Sequence, residues 1–163
     1  MPALQKQSRG TLATLLAEPV IRMLESTTSL ATSEREHCVT LLTDALPGLQ
    51  AVYLFGSQVT GDASPQSDVD LAVLLPSPLS AEQRWDLMAT LANRLDRDVD
   101  LVDLRRATTV MQYQVISEGL RLWSQGSGAD EFELAVLSEY WDLQIQRRGL
   151  IDDIKQRGTV HGR

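Results

Sequence analysis

The chain has 163 residues, 15 basic and 22 acidic side chains, a net charge of −7 and 43% hydrophobic content, which reads as one soluble globular domain with enough apolar material for a core. So acidic a chain lacks the basic face with which a non-specific nucleic-acid binder displaces counterions, so no direct nucleic-acid contact is expected. A single cysteine, Cys38, excludes an intrachain disulfide and suits a reducing cytoplasm. No apolar stretch approaches the roughly 18–20 residues that cross a bilayer, and the N-terminus lacks the apolar run of a secretion signal.

Leu12, Leu15, Leu16, Val20, Met23 and Leu24 recur near the helical period over residues 9–25, with Pro19 kinking or dividing that helix. Ser33 and Glu36 form a capping-box pattern ahead of Val39, Leu41, Leu42 and Leu46, and Pro47-Gly48 ends this second helix. Ala51–Phe55 reads as a buried strand, and a short helix can begin at Ser57. After a loop from Gly61 to Ser67, residues 68–75 form a second strand, stopped by Pro76-Ser77-Pro78. Ser80 to Leu95 is helical, with Trp85, Leu87, Met88, Leu91 and Leu95 as its apolar residues. Residues 98–104 are a third strand, Thr108 or Thr109 caps a helix ending at Gly119, and residues 120–123 offer a short fourth strand. A hinge at Gly126-Ser127-Gly128 precedes a long helix from about Ala129 to Gln156. The expected class is α/β (α+β), a small mixed sheet with helices packed on it.

Asp68 and Asp70 are the anomaly in this pattern. Strand side chains alternate with period two, so both share one face with Ala72 and Leu74, while Val69, Leu71 and Val73 share the other. In the third strand Asp98, Asp100 and Val102 share a face opposite Val99, Leu101 and Asp103. If the two strands are neighbours, three or four carboxylates meet on one sheet face. Like charges brought together repel, more so away from water. A divalent cation resolves the conflict, and oxygen-only donors favour Mg²⁺, with Mn²⁺ as the other candidate. Two such ions can clamp the attacking and leaving oxygens of a phosphoryl or nucleotidyl transfer. The strand end at Gly56-Ser57 lets backbone N–H groups approach a phosphate.

Gly56-Ser57, ten intervening residues and Asp68-Val69-Asp70 together resemble the signature of the minimal nucleotidyltransferases of the DNA polymerase β-like superfamily. The likeness runs from about Val52 to Trp123 and, more narrowly, is to the antitoxins of HEPN/MNT toxin–antitoxin pairs. It implies the polymerase β-like fold, while the order of elements divides the chain into a helical extension over residues 1–48, a nucleotidyltransferase core over 49–125 and a C-terminal helix over 126–163, all in one compact unit. It also implies transfer of AMP from ATP to a tyrosine of a HEPN ribonuclease toxin, which silences that toxin. On this resemblance Gly56, Ser57 and Gly61 would hold the nucleotide, and Asp68, Asp70 and Asp100 would hold the metal. Asp100 rather than Asp98 matches the family pattern, and Asp103, facing away, would be structural. Many relatives carry arginine just after the Gly-Ser pair, where this chain has Gln58-Val59-Thr60. Two other readings stay open: an antitoxin that acts by binding alone, and a nucleotidyltransferase acting on small molecules.

Arg105-Arg106 reads as a solvated basic pair, with phosphate contact as the alternative; His37 and His161 lack ligand spacing and read as non-catalytic. Tyr53, Tyr113 and Tyr140 are potential AMP acceptors that spacing does not rank. The long C-terminal helix has two apolar faces, one with Val136, Tyr140, Leu143, Leu150 and Ile154 and one with Leu137, Trp141 and Ile145. Both faces wrap the domain, or one of them meets a protein partner.

Overall fold

The computed structural model describes residues 30–64 and 67–157. The helix expected over residues 9–25, and His161, lie outside them. In chain order the elements are α1 (Thr32–Ala45), β1 (Ala51–Phe55), α2 (Ser57–Thr60), β2 (Val69–Leu74), α3 (Ala81–Leu95), β3 (Val99–Asp103), α4 (Thr109–Glu118), β4 (Leu120–Ser124) and α5 (Gly128–Arg157). The strands form one mixed sheet in the order β3-β2-β1-β4.

Helices cover both faces of the sheet. Val52, Leu54, Val69, Leu71, Val73, Val99 and Leu101 pack with Cys38 and Leu42 of α1 and with Leu87, Leu91 and Leu95 of α3. On the other face Ala51, Tyr53, Phe55, Ala72 and Leu74 pack with Val115 of α4 and with Ala129, Phe132 and Val136 of α5. All five residues of β1 are buried because it lies inside the sheet with a helical layer on each side. Leu87, Leu91 and Leu95 recur every four residues, so α3 buries one stripe, and each buried leucine contributes about 1.5–3 kcal/mol.

Helix ends follow local chemistry. Ser80 accepts from the Gln83 amide at 3.1 Å while Gln83 Oε1 accepts from the Ser80 amide, and α3 stops at Asp96 with φ 52°. Thr108, not Thr109, caps α4 by accepting from the Met111 amide. The box expected at Ser33 and Glu36 does not form, and the N-cap is Ala31, two residues earlier, with half of such a box. Glu34 reaches back to accept from the Ala31 amide at 2.8 Å, and Ser33 is already inside α1. Trp85, expected among the apolar residues of α3, is 70% exposed, because it lies off the stripe of Leu87, Leu91 and Leu95.

Two pairings decide where the chemistry can sit. β1 and β2 are antiparallel, with Phe55 opposite Asp70. β2 and β3 are parallel, with Asp70 beside Asp100. The end of β1 and the starts of β2 and β3 therefore share one end of the sheet, and the residues that alternation assigned to one face meet there.

Candidate active site

β1 turns sharply at Gly56, whose φ of 70° and ψ of −151° fall where a side chain is strained. A Cβ at this position would land on the Asp70 carboxylate. Glycine is thus required twice, by the backbone and by the close approach of Asp70. Ser57 opens α2 and is half-buried, and the amides of Val59 and Thr60 bond back to the Gly56 carbonyl. Gly61, at φ 85°, ends α2 in the left-handed region with open space around it.

Asp70 is half-buried, while Asp68 and Asp100 are exposed at the rim. Burial is the larger cause that pushes the Asp70 carboxyl above its ordinary value, followed by the negative charges of Asp100 and then Asp68. Asp68 and Asp100 thus both bear on Asp70, the neighbour that alternation and register give them. Asp98 is exposed at the strand's start, where its carbonyl accepts from the Val69 amide. Register makes Asp100, not Asp98, the neighbour of Asp70.

The cluster is open. Among the described residues, no three acidic, histidine or cysteine side chains stand at metal-holding separation. Asp100 leans instead toward Arg84 of α3, whose Nη1 is 3.7 Å from Oδ1 and also donates to the Leu101 carbonyl at 3.0 Å. The donor types still suit a hard divalent cation: oxygen donors only, with Asp68 and Asp100 opposing the charge of the partly desolvated Asp70.

Arg84 escaped the sequence reading, since it is sixteen positions before Asp100 and only the α3–β3 packing joins them. Gln58 also has an unforeseen role. Its side chain is fully buried, and Nε2 donates to the carbonyls of Ser67 at 3.2 Å and Asp68 at 3.0 Å. It braces the segment leading into the aspartate pair from inside the protein.

Asp103 is buried and accepts from the Leu79 amide at 2.7 Å and the Arg105 amide at 2.9 Å, the structural part expected of it. Arg105 and Arg106 are exposed, as the solvated pair expected of them, with each guanidinium also held to the backbone. Arg105 donates to the Leu75 carbonyl and lies over the Phe132 ring, and Arg106 donates to the Leu79 carbonyl. A cavity of about 310 Å³ between Leu79, Arg84, Asp103 and Arg106 contains none of the expected site residues. Tyr53 is buried and its hydroxyl donates to Glu133 at 2.7 Å, which together push its ionisation upward. Tyr113 and Tyr140 stack with ring centroids 3.6 Å apart. His37 is exposed on α1, and Cys38 is a buried free thiol pushed up to about 11, chiefly by desolvation.

The chain was compared with known proteins. Residues 37–127, more than half of it, match the family described as polymerase beta, nucleotidyltransferase. It is 44% identical over 116 residues to the protein adenylyltransferase MntA of Shewanella oneidensis, covering 71% of this chain and 84% of the relative. A chain from a toxin–antitoxin structure with AMP-PNP is 42% identical with a TM-score of 0.67, covering 74% of this chain and 98% of the other. A chain from a complex of tri-AMPylated Shewanella oneidensis HEPN toxin with MNT antitoxin is 41% identical with a TM-score of 0.63, covering 75% and 96%. The matched span and these relatives agree, and the chain belongs to the polymerase beta nucleotidyltransferase family.

Proposed function

We propose that this chain is the antitoxin of a HEPN/MNT-type pair and works as a protein adenylyltransferase, moving AMP from ATP onto a tyrosine of its HEPN toxin and so inactivating it. Support comes from the relatives: a protein adenylyltransferase, a toxin–antitoxin complex holding an ATP analogue, and a HEPN toxin already AMPylated beside an MNT antitoxin. The observation that carries the reading is Asp70, half-buried beside Asp100 and opposed by Asp68 and Asp100, at the end of the sheet where Gly56 fits against it. A fold gains no stability from gathering these charges.

In this reading Asp68, Asp70 and Asp100 hold Mg²⁺, or Mn²⁺ in its place. When bound, the cation neutralises charge on the phosphates and on the attacking and leaving oxygens. The Gly56-Ser57 turn seats the nucleotide phosphates, and Gly61, with open space about it, lets the following loop come close. The tyrosine oxygen forms a bond to the α-phosphorus as the bond to the pyrophosphate oxygen breaks. Asp100 accepts the tyrosine proton, and the rest of the acceleration comes from positioning. The cytoplasm, where ATP is available, is the compartment this activity requires.

The test is transfer from α-labelled ATP to purified toxin, with intact mass counting the AMP units. Asp70→Asn is expected to cut transfer by at least about 10²–10³-fold, the scale of losing one preorganised electrostatic group. Wild-type transfer by that variant would remove the metal assignment. Full neutralisation of the toxin by the variant with no AMP on it would leave an antitoxin that acts by binding.

A further inference from the structure

No described residue in the second half of α5 is buried, and the direction of the helix carries information. Gly128 lies against Gln50, just before β1, and Glu133 accepts a hydrogen bond from the Tyr53 hydroxyl in mid-strand. The helix thus advances along β1 toward Phe55 and Gly56. It lies on the face that holds Ala72 and Leu74, which alternation makes the face of Asp70 as well. β1 is about 17 Å long at 3.4 Å per residue. The twelve steps from Gly128 to Tyr140 cover about 18 Å. The stretch from Trp141 to Arg157, about 25 Å, therefore projects past the end of the sheet where the carboxylates stand.

The seam that packs on the sheet continues into this projection. Phe132 and Val136 are buried in it and Tyr140 stacks on Tyr113; Leu143 follows at 38% exposure and Leu150 at 60%, on the same side of the helix by the 3.6 period. No residue from Trp141 to Lys155 is buried. The seam thus overhangs the approach to Asp68, Asp70 and Asp100.

We infer that the acceptor protein docks in the angle between this overhang and the sheet end, with its apolar surface on Leu143 and Leu150. This rests on the adenylyl-transfer reading for the identity of the acceptor, the HEPN toxin. Two observations select a protein acceptor over a second copy of this chain. An arm beside the catalytic end serves delivery of a tyrosine. And the overhang carries Arg147, Arg148, Lys155 and Arg157 against Asp142, Asp152 and Asp153, a small basic excess within a chain of net charge −7. That excess suits an apolar ridge rimmed by acidic groups and repels another copy of itself.

The experiment compares two double variants of the full chain, L143S/L150S on the seam and W141S/I145S on the opposite face, with W85S on α3 as a third exposed apolar control. Binding to the toxin is measured by calorimetry without ATP, and AMP transfer is read separately by intact mass. Expected are at least a tenfold loss of toxin affinity and a matching rise in KM for toxin in L143S/L150S, with affinity changed less than threefold in the other two variants. Equal affinity of L143S/L150S and wild type overturns the proposal, as does an equal loss in W141S/I145S. Dimers of the chain alone, by light scattering, that L143S/L150S converts to monomers also overturn it. So does a melting temperature of the chain alone that falls by more than a few degrees in L143S/L150S, since the seam would then be covered by the chain's own residues. The two readings fail separately. Seam-dependent binding with no AMP transferred by wild type sinks the catalytic reading and leaves the dock; transfer with seam-independent binding does the reverse.

Discussion

Asp70 carries the conflict between stability and chemistry in a single side chain. Its carboxyl is raised above the ordinary 3.8 by burial, then by Asp100 and Asp68. A raised acid favours folding in its protonated form, so that contribution is complete below the unfolded-state value and is lost as pH rises through the folded-state value. At neutral pH the ionised group therefore weighs against the fold. In chelator at pH 7.5, Asp70→Asn is expected to raise the melting temperature by about 2–4 °C, the shift that ~1 kcal/mol gives a domain of this size. The gain should shrink toward pH 4, and Mn²⁺ should reverse the order by stabilising only the wild type. Melting curves across pH, with and without metal, check all three; a variant less stable than wild type in chelator would contradict them. The pair Asp68/Asp70 was visible in the sequence because two charges interrupt an apolar strand at its own period. Gln58 was not, because a glutamine gives no sign of whether it points at a ligand or, as here, at the carbonyls of Ser67 and Asp68.

β3 separates the two kinds of aspartate within one element. Asp100 is exposed beside Arg84, and Asp103, three positions on and therefore on the other face, is buried under two backbone amides. Asp103→Ala strands the Leu79 and Arg105 amides, and urea denaturation should show a loss of about 2–4 kcal/mol with transfer per folded molecule unchanged. Asp100→Asn should do the opposite, with stability within about 0.5 kcal/mol of wild type and transfer lost. If both variants lost activity alike, the division by face would be wrong. Alternation alone predicts this division, since it is a backbone property. The helix caps were legible where the side chain is local, as at Ser80 and Thr108. The cap was misread at Ser33 because Glu34, two residues from the expected partner, reaches the Ala31 amide first.

At the scale of the molecule, a four-stranded sheet sealed on both faces leaves one end for chemistry and one helix that outruns it. A chain ending at Asp142 removes only residues that are not buried among those described. It should melt cooperatively within about 2 °C of the full chain, given that surface residues contribute little, and keep its affinity for ATP. Loss of the cooperative melt would mean that the overhang belongs to the core.

Element order, the period-two placement of Asp68 and Asp70 and the Gly-Ser turn came from the sequence alone, because each depends on residues within a few positions of one another. Asp100 could be ranked over Asp98 only through resemblance until the parallel register of β2 and β3 set it beside Asp70. Arg84 against Asp100, Arg105 over Phe132 and the uncovered overhang of α5 were decided by the tertiary structure. Each depends on which distant segments become neighbours, and that is a property of the packed sheet rather than of any local run of residues.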